Sequence, residues 1–306
     1  MPYLLLVAAL LAQAAPGTPP PDADYVPQRV YDTRRGMFTD FESMVTELAR
    51  AHVVLVGEQH DDASTHRLEQ ALMSGLRRRR VAAAVSLEMF ERDVQGTLDR
   101  YLSGAIGEPE FLKESRPWPR YATDYRPLVE MAKREGWPVV AANVPRRVAS
   151  SVAKSGQAAI EQLPPADRLL MAAELQCPHD AYFARFSQAM NGHGAGDAKT
   201  APAAPPTDDQ RASTDRYYWS QCVKDETMAE SLAKAVADRA GKSGPIVHFT
   251  GAFHSDFGAG TTERTRRRLV GKQVAVVSML PVADLDLVAP RAEDLGRADF
   301  LVYTSK

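Results

Sequence analysis

The chain has 306 residues, of which 44% are hydrophobic, and this is enough apolar surface to bury one large core or two modest ones. Its 37 basic and 39 acidic residues nearly cancel, so no overall charge favours binding to nucleic acid or to an anionic membrane. The composition therefore predicts a globular protein without a nucleic-acid partner.

The chain opens with an apolar block from Tyr3 to Leu11, followed by small residues in an Ala-x-Ala pattern. This order is typical of a secretory signal peptide, so residues 1–15 are expected to be a signal and the protein periplasmic or secreted. The block is too short to span a bilayer, so no membrane span is expected in the mature chain. No cysteine follows the block as a lipidation site. The proline-rich composition that comes next predicts a linker over residues 16–36.

Short apolar runs separated by helical periods recur along the rest of the chain. Strands that alternate with helices favour right-handed βαβ units and a parallel sheet. We therefore predict an α/β fold with a mainly parallel sheet flanked by helices, formed by residues 37–306, with a smaller helical subdomain inserted at about 160–240. The predicted strands are 53–56, 81–87, 138–142, 246–250, 274–279 and 300–303, and the clearest helices are 37–50, 64–80, 164–190 and 215–240. Residues 191–213 have no apolar period and predict a mobile insertion or lid.

Polar side chains follow four of the predicted strands at the point where each strand ends. The carboxyl ends of parallel strands meet at one edge of a sheet, which is where ligands bind in open α/β folds. We therefore expect these residues to line one cleft: Glu58, His60, Glu88, Asn143, His254 and Asp256.

The residue types at this edge suit two kinds of chemistry. Imidazole together with carboxylate is a common donor set for a catalytic divalent metal, and Glu58, His60 and His254 are the candidate ligands. With Glu88 they also suit acid and base catalysis. His66, which follows His60 by six positions on a helix, is expected at the helix surface because the two side chains would not share a face.

The two cysteines, Cys177 and Cys222, lie on either side of the irregular segment. In an oxidising compartment they could pair, with a stabilisation of roughly 3–4 kcal/mol in the loop-entropy model. Two buried free thiols are the equal alternative, because spacing alone does not decide geometry.

Five sequence blocks resemble the ChaN-like haem-binding uptake proteins of bacteria and, more widely, the group that contains erythromycin esterases and Tiki-type metalloproteases. In order, the blocks are VVLVGEQHDD, SLEMFERDVQGTLDRYLSG, VVAANVPRRVA, KDETMAESLA and VHFTGAFHSDFGAGTTER. The resemblance implies an α/β core with a smaller helical part, haem bound through tyrosine, and a homodimer around paired haems.

A haem pocket needs apolar walls, an iron ligand and cations for the two propionates. The resemblance directs attention to the aromatic cluster CPHDAYFARF, where Tyr182 is the first candidate for the iron ligand and His179 the second. Arg146 and Arg147, after the third strand, are the candidates for the propionates. The rival tyrosines are Tyr121, Tyr125, Tyr217 and Tyr218.

Two functions follow from these patterns. The first is a haem or iron-cofactor binding protein that takes part in haem or iron uptake or handling outside the cytoplasm. The alternative is a metal-dependent hydrolase that uses Glu58, His60, Glu88 and His254 at the edge of the sheet.

Overall fold

The computed structural model describes residues 26–192 and 206–306. The predicted signal peptide, the first part of the predicted linker and the centre of the irregular segment 191–213 lie outside the described residues.

The described strands form one eight-stranded sheet in the order β2-β1-β8-β7-β3-β6-β4-β5. Pairing is parallel from β8 to β5, and antiparallel only where β1 pairs with β2 and with β8. The prediction of a mainly parallel sheet is therefore confirmed. The strands are β1 Gln28–Asp32, β2 Met37–Thr39, β3 Val53–Glu58, β4 Ala84–Glu91, β5 Val139–Asn143, β6 Ile246–Gly251, β7 Val274–Val282 and β8 Phe300–Ser305.

Helices connect the parallel strands and cover the sheet. They are α1 Phe41–Leu48, α2 Ala63–Arg78, α3 Gln95–Leu102, α4 Glu108–Ser115, α5 Arg126–Glu135, α6 Arg146–Ser155, α7 Ala158–Glu161, α8 Pro165–Arg168, α9 Ala181–Gly192, α10 Asp208–Asp238, α11 Ala252–Ser255 and α12 Thr261–Arg268. Two 3₁₀ turns, Arg92–Val94 and Asp256–Gly258, and a π-helical turn, Tyr121–Tyr125, complete the order. Within the described residues, no helix is both long enough and apolar enough to cross a membrane.

The hairpin β1–β2 was not predicted, and it begins inside the range 16–36 that was expected to be a linker. Asp32 closes its turn by accepting hydrogen bonds from the backbone N–H groups of Arg34 and Arg35, each at 3.0 Å. The helix predicted from residue 37 begins only at Phe41, because Asp40 caps it by accepting from the Ser43 N–H at 2.7 Å.

The long helix α10 begins earlier than predicted, so the last residues of the predicted lid are helical. Thr207 and Gln210 form a reciprocal capping box at its start. The helix packs against α6, α12 and β5, and Val223 joins a small apolar cluster with Val148 and Val152 of α6. Cys222 on α10 forms a disulfide with Cys177. Of the two alternatives for the cysteines, the disulfide is therefore the one present, not a pair of free thiols.

Candidate functional site

The carboxyl edge of the sheet brings the predicted polar residues together. Glu58 ends β3 directly beside Gly251 of the neighbouring β6. On the other side of β6, the pairing of β4 with β5 shifts register between Leu87 and Glu91. Glu88 lies at this irregularity and accepts hydrogen bonds from the Thr250 hydroxyl at 2.6 Å and the Gly251 N–H at 2.9 Å. The strand ends thus hold two buried carboxylates close to each other.

His254 forms a buried charged network with two carboxylates. Its Nδ1 lies 2.7 Å from Asp225 Oδ1 on α10, and its Nε2 lies 3.4 Å from Glu88 Oε1. Burial acts to lower the pKa of His254, but the charges of Glu88 and Asp225 outweigh it and raise the pKa to about 10. Burial acts to raise the pKa of Glu88, but the charge of His254 holds it well below its usual value. His254 is therefore an imidazolium paired with carboxylates at neutral pH.

His60 is the accessible member of the predicted set. Its Nδ1 lies 2.7 Å from Glu58 Oε1, and its side chain is 44% exposed. Trp118 packs edge-on against the ring, with centroids 5.1 Å apart. Burial acts to lower the pKa of His60, but the hydrogen bond with Glu58 and the charge of Glu88 raise it. A β-carbon on Gly251 would lie 2.8 Å from His60 Nε2, so this glycine leaves room for the ring.

The structure contradicts the expectation that His66 lies at a helix surface. The residue is buried, with Nδ1 3.0 Å from Glu69 Oε2 and 4.0 Å from Glu58 Oε2. His60 lies in the loop before α2, so the helical angle between the two histidines was irrelevant. The spacing of His66, Glu69 and Leu72 on one helical stripe was the signal in the sequence for a buried position.

One group of described residues could hold a metal ion: one ligand atom each from Glu58, His66 and Glu69, all within 4.8 Å of one another. The predicted set of Glu58, His60 and His254 does not form such a group among the described residues. Burial and the charge of Glu58 raise the pKa of Glu69 well above its usual value.

Tyr182, the first candidate for the iron ligand, is already engaged by a neighbouring carboxylate in this structure. Its side chain is buried, and its hydroxyl donates to Asp225 Oδ2 at 2.8 Å. Burial and the charge of Asp225 raise its pKa well above the usual value. The phenol therefore orients Asp225 rather than facing a cavity. His179 is exposed, stacks on Phe183 and lies within hydrogen-bond distance of Asp215, with Nε2 2.7 Å from Oδ1.

The two predicted propionate partners differ in their surroundings. Arg147 is already engaged by Asp93 at 2.7 Å and Asp167 at 2.8 Å. Arg146 is exposed and has no carboxylate within 4.0 Å among the described residues. It lines a groove of about 290 Å³ together with Trp118, Asn143 and Lys224.

Tyr217 also lines this groove, and it is the one exposed tyrosine of the described residues, at 46%. The rivals Tyr121, Tyr125 and Tyr218 are buried. The helical period of α10 gave no reason to prefer Tyr217 to its neighbour Tyr218, since both lie at the start of an amphipathic helix. Only the packing against α6 shows which of the two faces the groove.

Two further cavities open near the same edge. One, of about 360 Å³, is lined by His60, Arg185, Phe253 and Phe257 among others. The larger one, of about 830 Å³, lies beside β7 and β8, and its single tyrosine, Tyr303, is buried. Neither cavity offers an exposed tyrosine among the described residues.

Comparisons with known proteins agree with this architecture. Residues 44–265 match the family model described as "Haem-binding uptake, Tiki superfamily, ChaN". A solved structure of ChaN from Campylobacter jejuni, titled for its cofacial haem binding, is 18% identical, with 91% of this chain and 97% of that chain covered and a TM-score of 0.66. At this identity the likeness shows the fold.

An erythromycin esterase and a type III effector are two examples of weaker structural similarity. The erythromycin esterase EreC is 16% identical over 92% of this chain and 83% of that chain, with a TM-score of 0.45. The type III effector HopBA1 is 12% identical over 86% of this chain and 92% of that chain, with a TM-score of 0.46. Neither similarity carries a functional argument. A search of curated proteins finds no match.

Proposed function

Because the chain belongs to the ChaN family of haem-binding uptake proteins in the Tiki superfamily, we propose that it binds haem in the groove beside Tyr217. The observation that carries the proposal is the combination of one exposed phenol with two exposed or half-exposed cations, Arg146 and Lys224, in a single groove. A tyrosine oxygen is an established haem-iron ligand, and the two propionates require cationic partners.

The groove residues fit the chemical parts of a haem. Trp118 supplies an aromatic wall, and Ala149 and Ala153 of α6 leave a smooth apolar surface. Arg146 and Lys224 would pair with the propionates, and Tyr217 would face the iron. When bound, the haem supplies an iron centre whose properties depend on its axial ligand and surroundings.

The carboxylates in the groove do not oppose this binding mode. Glu88 is neutralised by His254 at 3.4 Å and by the donors at the end of β6. Glu91 is paired with Arg116 at 3.0 Å. Repulsion between these carboxylates and the propionates is therefore reduced, and the cations Arg146 and Lys224 dominate locally.

Replacing either of two tyrosines with phenylalanine tests the ligand. Haem titration followed by optical absorbance should show that Tyr217→Phe weakens binding about tenfold or more, which is about 1.4 kcal/mol, and changes the iron absorption bands. Tyr182→Phe is the matched control, since it also removes one hydroxyl but from the interior. An unaltered spectrum and affinity in Tyr217→Phe, with loss in Tyr182→Phe, would return the assignment to Tyr182.

The shallow groove also supports a proposed homodimer in the haem-bound state. Binding sites normally bury most of a ligand's surface, whereas a groove of about 290 Å³ leaves much of a porphyrin uncovered. A second copy of the chain would cover the open face. Light scattering of the apo and haem-loaded protein tests this, with a doubling of mass expected on loading.

We further propose that the protein acts in haem or iron uptake or handling in the periplasm or as a secreted protein. The apolar block at the start of the chain supports export. The Cys177–Cys222 disulfide supports an oxidising compartment. Fractionation of cells that express the full chain tests this, and retention in the cytoplasm would oppose it.

The hydrolase alternative retains one supporting observation. The His60–Glu58 pair borders the cavity of about 360 Å³ and has an accessible imidazole that could serve as a base. Glu88 and His254 are buried and paired with each other, so they can only support such a site indirectly. Turnover of a simple ester that disappears in His60→Gln, but persists in Tyr217→Phe, would favour this function.

A further inference from the structure

A buried cluster beneath the carboxyl edge lies apart from the proposed haem groove. Glu58 contributes from the end of β3, and His66 and Glu69 come from α2. All three side chains are buried, at 2% exposure or less. Of these three residues, only Glu58 has a part in the functions described above.

The surroundings of His66 determine which ring nitrogen carries hydrogen. Nε2 faces two acceptors, the His60 carbonyl oxygen at 3.2 Å and Asp124 Oδ2 at 3.4 Å. Nε2 is therefore the donor, and in a neutral ring Nδ1 keeps its lone pair. This arrangement, in which a histidine donates its second nitrogen to a carboxylate and a carbonyl, is typical of metal-bound histidines.

The Nδ1 lone pair faces further acceptors. Glu69 Oε2 lies 3.0 Å away and Glu58 Oε2 lies 4.0 Å away. Glu58 Oε2 and Glu69 Oε1 are buried and have no hydrogen-bond partner among the described residues. Acceptors that converge without donors are costly in a protein interior unless a cation or protons lie between them.

We infer that Glu58, His66 and Glu69 bind a divalent transition-metal ion. Two carboxylates and one imidazole supply the charge and the mixed oxygen and nitrogen donors that Zn²⁺ and Mn²⁺ accept. Ligands bound at about 2.0–2.2 Å lie at most about 4.4 Å apart, and the 3.0 and 4.0 Å separations around Nδ1 meet this limit.

The other oxygen of Glu58 links this ion to the surface. Oε1 accepts from the Tyr125 hydroxyl at 2.7 Å and lies 2.7 Å from His60 Nδ1. The ion thus holds the Glu58 carboxylate in a fixed orientation, and Glu58 in turn holds the ring of His60. The metal would therefore position His60 without touching a ligand in the cavity.

Metal analysis of the haem-free full chain tests the inference. After dialysis with Zn²⁺ or Mn²⁺ and removal of free metal, elemental analysis should find about one ion per chain. Chelation with EDTA should lower the melting temperature. Glu69→Gln and His66→Gln should each reduce bound metal at least tenfold and abolish the effect of EDTA, while Glu263→Gln, an exposed carboxylate on α12, should change neither.

Two outcomes would overturn the proposal. The first is less than a tenth of an ion per chain in the unmodified protein together with a melting temperature indifferent to EDTA. The second is full metal content in both variants. If a variant fails to fold, the metal content and EDTA response of the unmodified chain still show whether the protein binds a metal ion. A cluster that only shares protons would bind no ion and would tolerate Glu69→Gln.

Discussion

The substitution Asp225→Asn tests whether the buried network around His254 is held together by charge. Asp225 is fully buried and receives hydrogen bonds from Tyr182 at 2.8 Å and Thr261 at 2.9 Å, besides the 2.7 Å contact with His254. Asparagine preserves the shape but removes one of the two carboxylate charges that pair with the imidazolium, and Glu88 remains as the other. Breaking a buried pair by removing one partner costs about 3–5 kcal/mol, which lowers the melting temperature by about 6–20 °C in a domain of this size.

The effect should depend on pH with a defined sign. The pKa of His254 is raised in the folded protein to about 10 from an ordinary value of 6.5. Its contribution to stability is therefore complete below pH 6.5 and is lost as the pH rises to 10, at about 1.4 kcal/mol per pH unit. The melting temperature of Asp225→Asn should be lower than that of the unmodified protein at pH 6 and should fall less steeply as the pH rises. The two melting temperatures should therefore converge as the pH approaches 10.

Thermal unfolding followed by circular dichroism between pH 6 and pH 10 measures both effects. Asp286→Asn, an exposed aspartate without an ion pair among the described residues, is the matched control and should leave the curve unchanged. A difference between Asp225→Asn and the unmodified protein that is the same at pH 6 and at pH 10 would refute the charge-based reasoning.

Three further predictions address other parts of the structure. Arg146→Ala should weaken haem binding by about 1 kcal/mol, roughly fivefold. Arg147→Ala should not weaken it, because Asp93 and Asp167 engage Arg147. Equal losses of affinity in a haem titration of the two variants would contradict this. Gly251→Ala places a methyl group 2.8 Å from His60 Nε2 and should disturb the hydrogen bond between His60 and Glu58. The pKa of His60 measured by NMR should therefore fall, and an unchanged pKa would oppose this. The double substitution Cys177→Ser and Cys222→Ser should cost about 4 kcal/mol in the loop-entropy model; denaturant unfolding that shows no loss would argue against the disulfide.

The sheet could be predicted from the sequence because each parallel strand is a short apolar run buried on both faces. Val53–Val56 and Ile246–Thr250 needed no long-range information, and their order along the chain implied the crossovers. The hairpin β1–β2 was not predicted because a three-residue edge strand beside a polar turn has too little apolar pattern to distinguish it from a linker.

The strand-end residues could be predicted as neighbours because topology alone places them at one edge. Some of their pairings, Glu58 with His60 and Glu88 with His254, lie within the predicted set. The partners that come from helices could not be foreseen. Asp225 joins Glu88 in raising the pKa of His254, and it does so from the middle of α10, where its sequence context shows only one more acidic residue on a helix. Likewise, whether Tyr182 or Tyr217 faces solvent depends on how α9 and α10 rotate about their axes, which aromatic periodicity alone does not determine.

The position of the iron in the haem-loaded protein tests the central claim most directly. Anomalous X-ray diffraction at the iron absorption edge locates that atom without assumptions about the ligand. We expect the iron at bonding distance from the Tyr217 oxygen, with Arg146 and Lys224 on the propionates. Iron beside Tyr182, beside His60 or in the cavity near Tyr303, or no haem bound at all, would contradict the account.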